Sequence, residues 1–207
     1  MSNQYFENND SLESNIHEIT YYYYGKTLKF YTDNGVFSKS GIDFGSSVLL
    51  KSITIEATDK SILDVGCGYG TIGLSLAATH NAHVDMVDIN LRALSLANKG
   101  ALINGISNVR IFESNVYEHV DKLYDVIVTN PPIRAGKQIV HAILLDGYEY
   151  LKKGGSLWCV IQKKQGAPSA ITALSTNMQW LKLSTKKNNT ILSKLLSRKK
   201  FPEKGVF

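Results

Sequence analysis

Between Lys60 and Ile161 the chain alternates short apolar runs with helical segments of roughly ten to fifteen residues, and no other feature limits its fold so tightly. Strand-like runs cover 61–65, 82–88, 109–112, 124–129 and 156–161, while helical patterns cover Thr71 to Thr79, Leu91 to Asn104 and a stretch near Gln138–Leu151. Strands alternating with helices form βαβ units with right-handed crossovers. The expected architecture is therefore α/β, a doubly wound and mainly parallel sheet. Ahead of it, Ile19–Tyr24 and Thr27–Tyr31 read as two β-rich runs around Gly25-Lys26, a small hairpin. Residues 35–38 read as a loop and Ser46 to Ile55 as a helix. A chain of 207 residues supports one sizeable core and not two. It divides into an N-terminal extension with the hairpin over 1–45, a main domain over 46–174 and a tail over 175–207.

In an open parallel sheet, ligands sit beyond the carboxyl ends of the strands, near the point where strand order reverses. Four segments fall there: Asp64-Val65-Gly66-Cys67-Gly68-Tyr69-Gly70, Asp88-Ile89-Asn90, Ser114-Asn115-Val116 and Asn130-Pro131-Pro132-Ile133. Glycines at 66, 68 and 70 permit positive φ and close approach of backbone to ligand, and the following helix start offers unpaired N–H groups. That suits an adenosyl cofactor. Gly68-x-Gly70-x-x-Gly73 also matches the dinucleotide fingerprint, which raises NAD. The register weighs against it. Gly66, not Gly68, follows the strand directly, and Asp64 places at the strand end a carboxylate that repels a diphosphate and attracts a sulfonium or ammonium group. Asp88 ends the second strand, 22 residues after Gly66, where a carboxylate accepts from both ribose hydroxyls. The plainer account is a tight turn beside a solvated acid; the coincidence of glycines and two acids at strand ends argues against it.

Asn130-Pro131-Pro132 follows an apolar strand whose end faces the same crevice. Two prolines fix φ and donate no N–H, so the turn is stiff and its carbonyls stay free to accept. A nucleobase NH₂ is a poor nucleophile because its lone pair is delocalised. Acceptors on both of its N–H bonds draw that density back to nitrogen, and Asn130 Oδ1 with the Pro131 carbonyl forms the natural pair. Asparagine is no general base, so the proton leaves to water during or after methyl transfer. Taken alone, the segment is equally well a rigid loop.

Together these segments resemble class I S-adenosylmethionine-dependent methyltransferases with their Rossmann-like fold, specifically the small-domain rRNA guanine-N2 methyltransferases of the RsmC type. The matching residues are 35–38 (Gly-Val-Phe-Ser), 43–46 (Asp-Phe-Gly-Ser), 62–70, 87–90, 104–106 and 124–137, and the likeness extends over about residues 17–174. The resemblance implies S-adenosylmethionine as cofactor, with Asp64, Gly66 and Gly68 along its methionine part and Gly70 in the same loop. It places Asp88 and Ile89 at the ribose and Asn115 with Val116 beside the adenine. It also implies that Asn130, Pro131, Pro132 and Ile133 present the target amine, with Asn130 among the cofactor-binding residues too, and rRNA or a ribosomal subunit as partner. Two positions depart from the family pattern. Ile133 stands where many amine methyltransferases carry an aromatic residue that stacks on the base, and Asn115 stands where many relatives have Asp.

The formal net charge of +5 invites a nucleic-acid reading by itself. Its distribution weakens that reading. Residues 175–207 hold eight basic groups against Glu203 alone, a net +7, whereas residues 1–174 hold 15 basic and 17 acidic groups, a net −2. Arg134, Lys137, Lys163 and Lys164 follow predicted strands and are candidates for gripping RNA phosphates, with a solvated face as the equal alternative. His17, His80, His83, His119 and His141 show no metal-ligand spacing, so no metal is expected. Cys67 and Cys159 are too few for a disulfide framework, the first residues lack an apolar signal core, and no run approaches the ~18 apolar residues of a membrane span. A cytoplasmic protein without membrane association is expected. A glutamine side chain in a protein is the alternative substrate, and a cofactor- or RNA-binding protein without turnover is the alternative of a different class.

After Leu174 the regular pattern stops, and residues 177–194 are expected to supply neither of the last two strands such a sheet needs. Starting at the third base of the Asn177 codon, synonymous codons can read Tyr-Ala-Met-Val-Glu-Val-Val-Asn-Lys-Lys-Lys-Gln-Tyr-Tyr-Ile-Ile-Lys-Ala, a strand, a basic turn and a strand. A shift of reading frame near Thr176–Asn177, with loss of the closing hairpin, is the expectation. Resequencing the gene across this junction checks it: an unbroken frame encoding the present tail removes it. Without the hairpin, a bare sheet edge would favour aggregation.

Overall fold

The structure is a computed structural model that describes residues 12–132, 135–162, 178–184 and 190–197. Two antiparallel strands, β1 (His17–Tyr23) and β2 (Lys26–Thr32), open it. Their turn is Tyr24-Gly25 rather than Gly25-Lys26, because Lys26 already pairs with Tyr23. Both turn residues have positive φ, 45° and 79°, the twist a two-residue hairpin loop requires. Helix α1 (Phe44–Ser52) follows, then β3 (Ser61–Val65), α2 (Thr71–Thr79), β4 (His83–Asp88), α3 (Leu91–Ile103), β5 (Val109–Glu113), β6 (Tyr124–Thr129) and α4 (Lys137–Asp146). A short 3₁₀ turn (Gly147–Tyr150) leads into β7 (Leu151–Gln162), and β8 (Met178–Ser184) and β9 (Thr190–Ser197) close the fold.

The main sheet has strand order β5-β4-β3-β6-β7-β9-β8, parallel from β5 to β7 and antiparallel across β7-β9-β8. The α/β reading therefore stands. The expectation of a missing closing hairpin does not: the present tail supplies both strands, with Met178–Ser184 set against Ile191–Ser197 and Thr190–Leu196 against β7. These strands escape a sequence reading because their apolar residues come in short interrupted runs such as Trp180-Leu181 and Leu195-Leu196, and pairing with an existing edge supplies the ladder that such runs do not announce.

Alternate residues along each central strand enter different cores, the period of two that a sheet buried on both faces demands. Ile62, Val84, Met86, Val128 and Trp158 join α1, α2, α3 and the hairpin residues Tyr23, Leu28 and Phe30 in one cluster. Leu63, Val65, Val87, Ile127 and Leu157 join Tyr117 and the α4 residues Val140, Ile143 and Leu144 in the other. The hairpin is thus part of the larger core. No helix among the described residues is long and apolar enough to cross a membrane.

Candidate active site

The strand register sets the site. In β3 and β4, Val65 pairs with Val87, so the glycine loop leaving β3 comes alongside Asp88. Gly66 N and Cys67 N both donate to the Val87 carbonyl at 2.9 Å, and Gly68 N donates to Asp88 Oδ2 at 2.8 Å. Asp88 Oδ1 accepts from Asn90 N at 2.9 Å. With Ile89 N–H also directed at it, the Asp88 carboxylate keeps capacity for a further donor. Burial pushes the Asp88 carboxyl above its ordinary range, opposed by the backbone N–H groups of Asn90, Gly68 and Ile89. On the other side of β3, Thr129 Oγ1 donates to the Val65 carbonyl at 2.8 Å, which sets the Asn130-Pro131-Pro132 turn beside the glycine loop.

These elements enclose a cavity of about 470 Å³. The predicted residues Gly66, Gly68, Asp88, Ile89, Asn115, Val116, Asn130, Pro131 and Pro132 all line it. Asp64 and Gly70 stand behind the wall. Asp64 is 1% exposed and accepts from Gly73 N at 2.7 Å through Oδ2, while its Oδ1 has no hydrogen-bond partner. This contact explains the third glycine of the apparent dinucleotide fingerprint. A Cβ on Gly73 would meet Met86 at 2.7 Å and Asp64 Oδ2 at 3.0 Å, so the position serves close packing. Gly70 caps α2 with φ 93°. Val116, a β-branched residue, is held at φ 56°, a strain of the order of 1–3 kcal/mol located on the cavity wall. Burial, with Asp88 and Asp64 nearby, pushes the Cys67 thiol well up, so it packs as a small apolar group rather than reacting. Ile133, Arg134, Lys163 and Lys164 lie outside the described residues, and Lys137 is described only as the first residue of α4.

Among the wall residues with no assigned role from sequence pattern are Phe37, Asp43, Ser46 and Tyr69. Tyr69 donates to the Gly41 carbonyl at 3.2 Å and to that of Ser38 at 3.4 Å, tying the segment before α1 to the glycine loop. Asp43 caps α1 by accepting from Ser46 N at 3.1 Å. Asn130 Nδ2 donates to Asp43 Oδ1 at 2.9 Å and to Ser46 Oγ at 3.1 Å. The signal in the sequence for Phe37, Asp43 and Ser46 is the pair of short motifs at 35–38 and 43–46, which carry no chemistry of their own, and for Tyr69 its place inside the glycine loop.

Residues 27–192 match the model of the methyltransferase small domain family. The chain belongs to that family. It is 48% identical over 177 residues to the uncharacterised protein YbxB of Bacillus subtilis, covering 84% of this chain and 88% of that protein. It is 37% identical to ribosomal RNA small subunit methyltransferase C of Hahella chejuensis, over 71% of this chain and 44% of that protein. The chain thus spans less than half of that relative. Among solved structures, the 16S rRNA N2 methyltransferase RsmC of T. thermophilus, in complex with AdoMet and guanosine, superposes with a TM-score of 0.76 at 22% identity, over 88% of this chain and 51% of that one. A methyltransferase from Pyrococcus furiosus gives 0.62 at 20% identity, over 73% and 80%. The family and the shared fold place the chain among class I S-adenosylmethionine-dependent methyltransferases.

The residues present fit that cofactor. Asp88 has spare acceptor capacity for a ribose hydroxyl, Asp64 holds an unpartnered buried oxygen beneath the loop, and a Cβ on Gly68, at φ 55°, would meet nothing within 4 Å. Gly68 itself lines the cavity. Gly68→Ala strains the backbone by about 1–2 kcal/mol and occupies the space. The expected result is a loss of S-adenosylmethionine affinity of roughly tenfold or more by calorimetry, with only a small drop in melting temperature.

Proposed function

We propose that this protein transfers a methyl group from S-adenosylmethionine to an exocyclic amine of an RNA base, guanine N2 of small-subunit rRNA in the first instance. The observation that carries the proposal is the stiff Asn130-Pro131-Pro132 turn on the wall of the glycine-loop cavity, with the Asn130 amide hydrogens engaged by Asp43 and Ser46. The names of the relatives support the RNA class. Bound S-adenosylmethionine supplies an electrophilic methyl group on a cationic sulfur. Asp88 holds the ribose and the glycine loop admits the methionine part. Asn130 Oδ1 and the Pro131 carbonyl accept the two N–H bonds of the target amine, which concentrates its lone pair on nitrogen and aligns it. The nitrogen gains the methyl group and gives up one proton to water, since neither acceptor is a base at neutral pH. The reacting base leaves its stack to reach the cavity. The substrate residues beyond the described segments, Ile133, Arg134, Lys163 and Lys164, belong to the same proposal, as does Lys137.

Incubation with methyl-labelled S-adenosylmethionine and unmethylated 16S rRNA, followed by nucleoside analysis, tests it. Label in N2-methylguanosine is the expected result. Label confined to protein would replace the RNA base by an amide side chain as the target, and cofactor binding with no label anywhere would remove the activity.

A further inference from the structure

The segment joining the hairpin to α1 supplies a lock on the amide of Asn130. Asp43, at the N-cap of α1, and Asn130, at the end of β6, are 87 residues apart in sequence, yet their side chains meet at 2.9 Å. An ionised carboxylate only accepts, so the group of Asn130 that faces Asp43 is the NH₂. Ser46 Oγ, on a 5% exposed residue in the first turn of α1, takes the same nitrogen at 3.1 Å. Gly45 makes the approach possible: a Cβ there would stand 3.0 Å from Asp43 Oδ1 and 3.1 Å from Asn130 Oδ1. Turning the amide over would set Asn130 Oδ1 against a carboxylate oxygen, acceptor against acceptor.

We propose that Asp43 and Ser46 are positioning residues that hold Asn130 in the one orientation in which Oδ1, not NH₂, is presented to the substrate. This rests on the reading of the site as an amine methyltransferase. The χ2 torsion of an asparagine is broad and roughly two-fold, so an unheld amide offers the incoming amine a donor about as readily as an acceptor. A donor facing a donor opposes the alignment on which transfer depends. The lock also explains why position 130 is Asn: an Asp there would meet Asp43 carboxylate to carboxylate, with no hydrogen between them.

The test uses the full chain, reading methyl transfer to 16S rRNA and exchange of the Asn130 Nδ2 protons by ¹⁵N NMR. Asp43 Oδ1 makes both the α1 cap and the contact with Asn130, and Asp43→Ser supplies a hydroxyl that still caps a helix but sits one bond closer to the backbone, withdrawn from Asn130. Its kcat is expected to fall about tenfold or more with the melting temperature close to wild type, and the Nδ2 protons to exchange about tenfold faster. Gly45→Ala presses a methyl group against Asp43 Oδ1 and the Asn130 amide, so kcat is expected to drop, while the helix propensity of alanine offsets part of the packing cost. Asn130→Asp is expected to be nearly inactive, and adding Asp43→Asn to it to restore activity by about tenfold or more, since the amide introduced at position 43 would then donate to the new carboxylate, in exchange for the α1 cap that Asp43 Oδ1 accepts from Ser46 N and with a lower melting temperature. Undiminished kcat in Asp43→Ser, or no recovery in the double variant, overturns the lock. If wild type methylates no RNA, the substrate reading fails instead and the exchange rates decide: slow exchange in wild type, lost in Asp43→Ser, supports the lock, and fast exchange in wild type overturns it.

Discussion

Replacing Asn130 with alanine is expected to lower kcat for methyl transfer by about 100- to 1,000-fold, the scale on which enzymes lose rate when one preorganised polar contact to the reacting group is removed. Affinity for S-adenosylmethionine is expected to stay within about threefold, because the ribose and loop contacts are proposed for Asp88 and the glycines. Single-turnover kinetics and calorimetry separate the two. Melting temperature falls as well, since Asp43 Oδ1 and Ser46 Oγ lose their shared donor. Equal losses of kcat and cofactor affinity would make Asn130 a cofactor ligand instead.

Asp64→Asn is expected to remove a dependence of cofactor affinity on pH. Burial pushes the Asp64 carboxyl up to about 7, opposed by the Gly73 N–H and assisted by the Asp88 charge. A cationic ligand favours the ionised carboxylate, so binding strengthens as pH rises through that value. Between pH 7.5 and 5.5 wild-type affinity is expected to fall by roughly 20-fold, and that of the Asn variant to stay flat. Stability of the ligand-free protein runs the opposite way. The fold retains a proton that the unfolded chain releases near its ordinary value of about 4. The contribution of this group is therefore complete below about pH 4 and is lost as pH rises through about 7. Asp64→Asn, which still accepts from Gly73 N, is expected to gain in melting temperature on wild type as pH climbs from about 5 to 8. A constant difference across that range would mean that Asp64 is ionised throughout.

Much of the cofactor half was legible from local pattern. The run from Asp64 to Gly70, the acid at 88 and the Asn-Pro-Pro turn each lie at the end of an apolar strand, and strand ends converge in a parallel sheet whatever the remaining details. The substrate half was not. Asp43 looks like an ordinary helix cap and Ser46 like a first-turn residue, and nothing near either of them in sequence points to Asn130. Asp64 also reads as a wall residue from its place at a strand end, whereas the alternation of side chains across β3 and the approach of Gly73 turn it beneath the loop. The tail misled for a related reason: β8 and β9 draw their ladder from β7, a partner that local composition does not reveal.

Periodicity, glycines and prolines act within a few residues of themselves, and for that reason the sequence alone determined the class of fold, the family and the kind of cofactor. Strand order, the position of the closing hairpin and the meeting of Asp43, Ser46 and Asn130 are long-range facts. They follow from how the two faces of the sheet bury their side chains, and only the tertiary structure decided them.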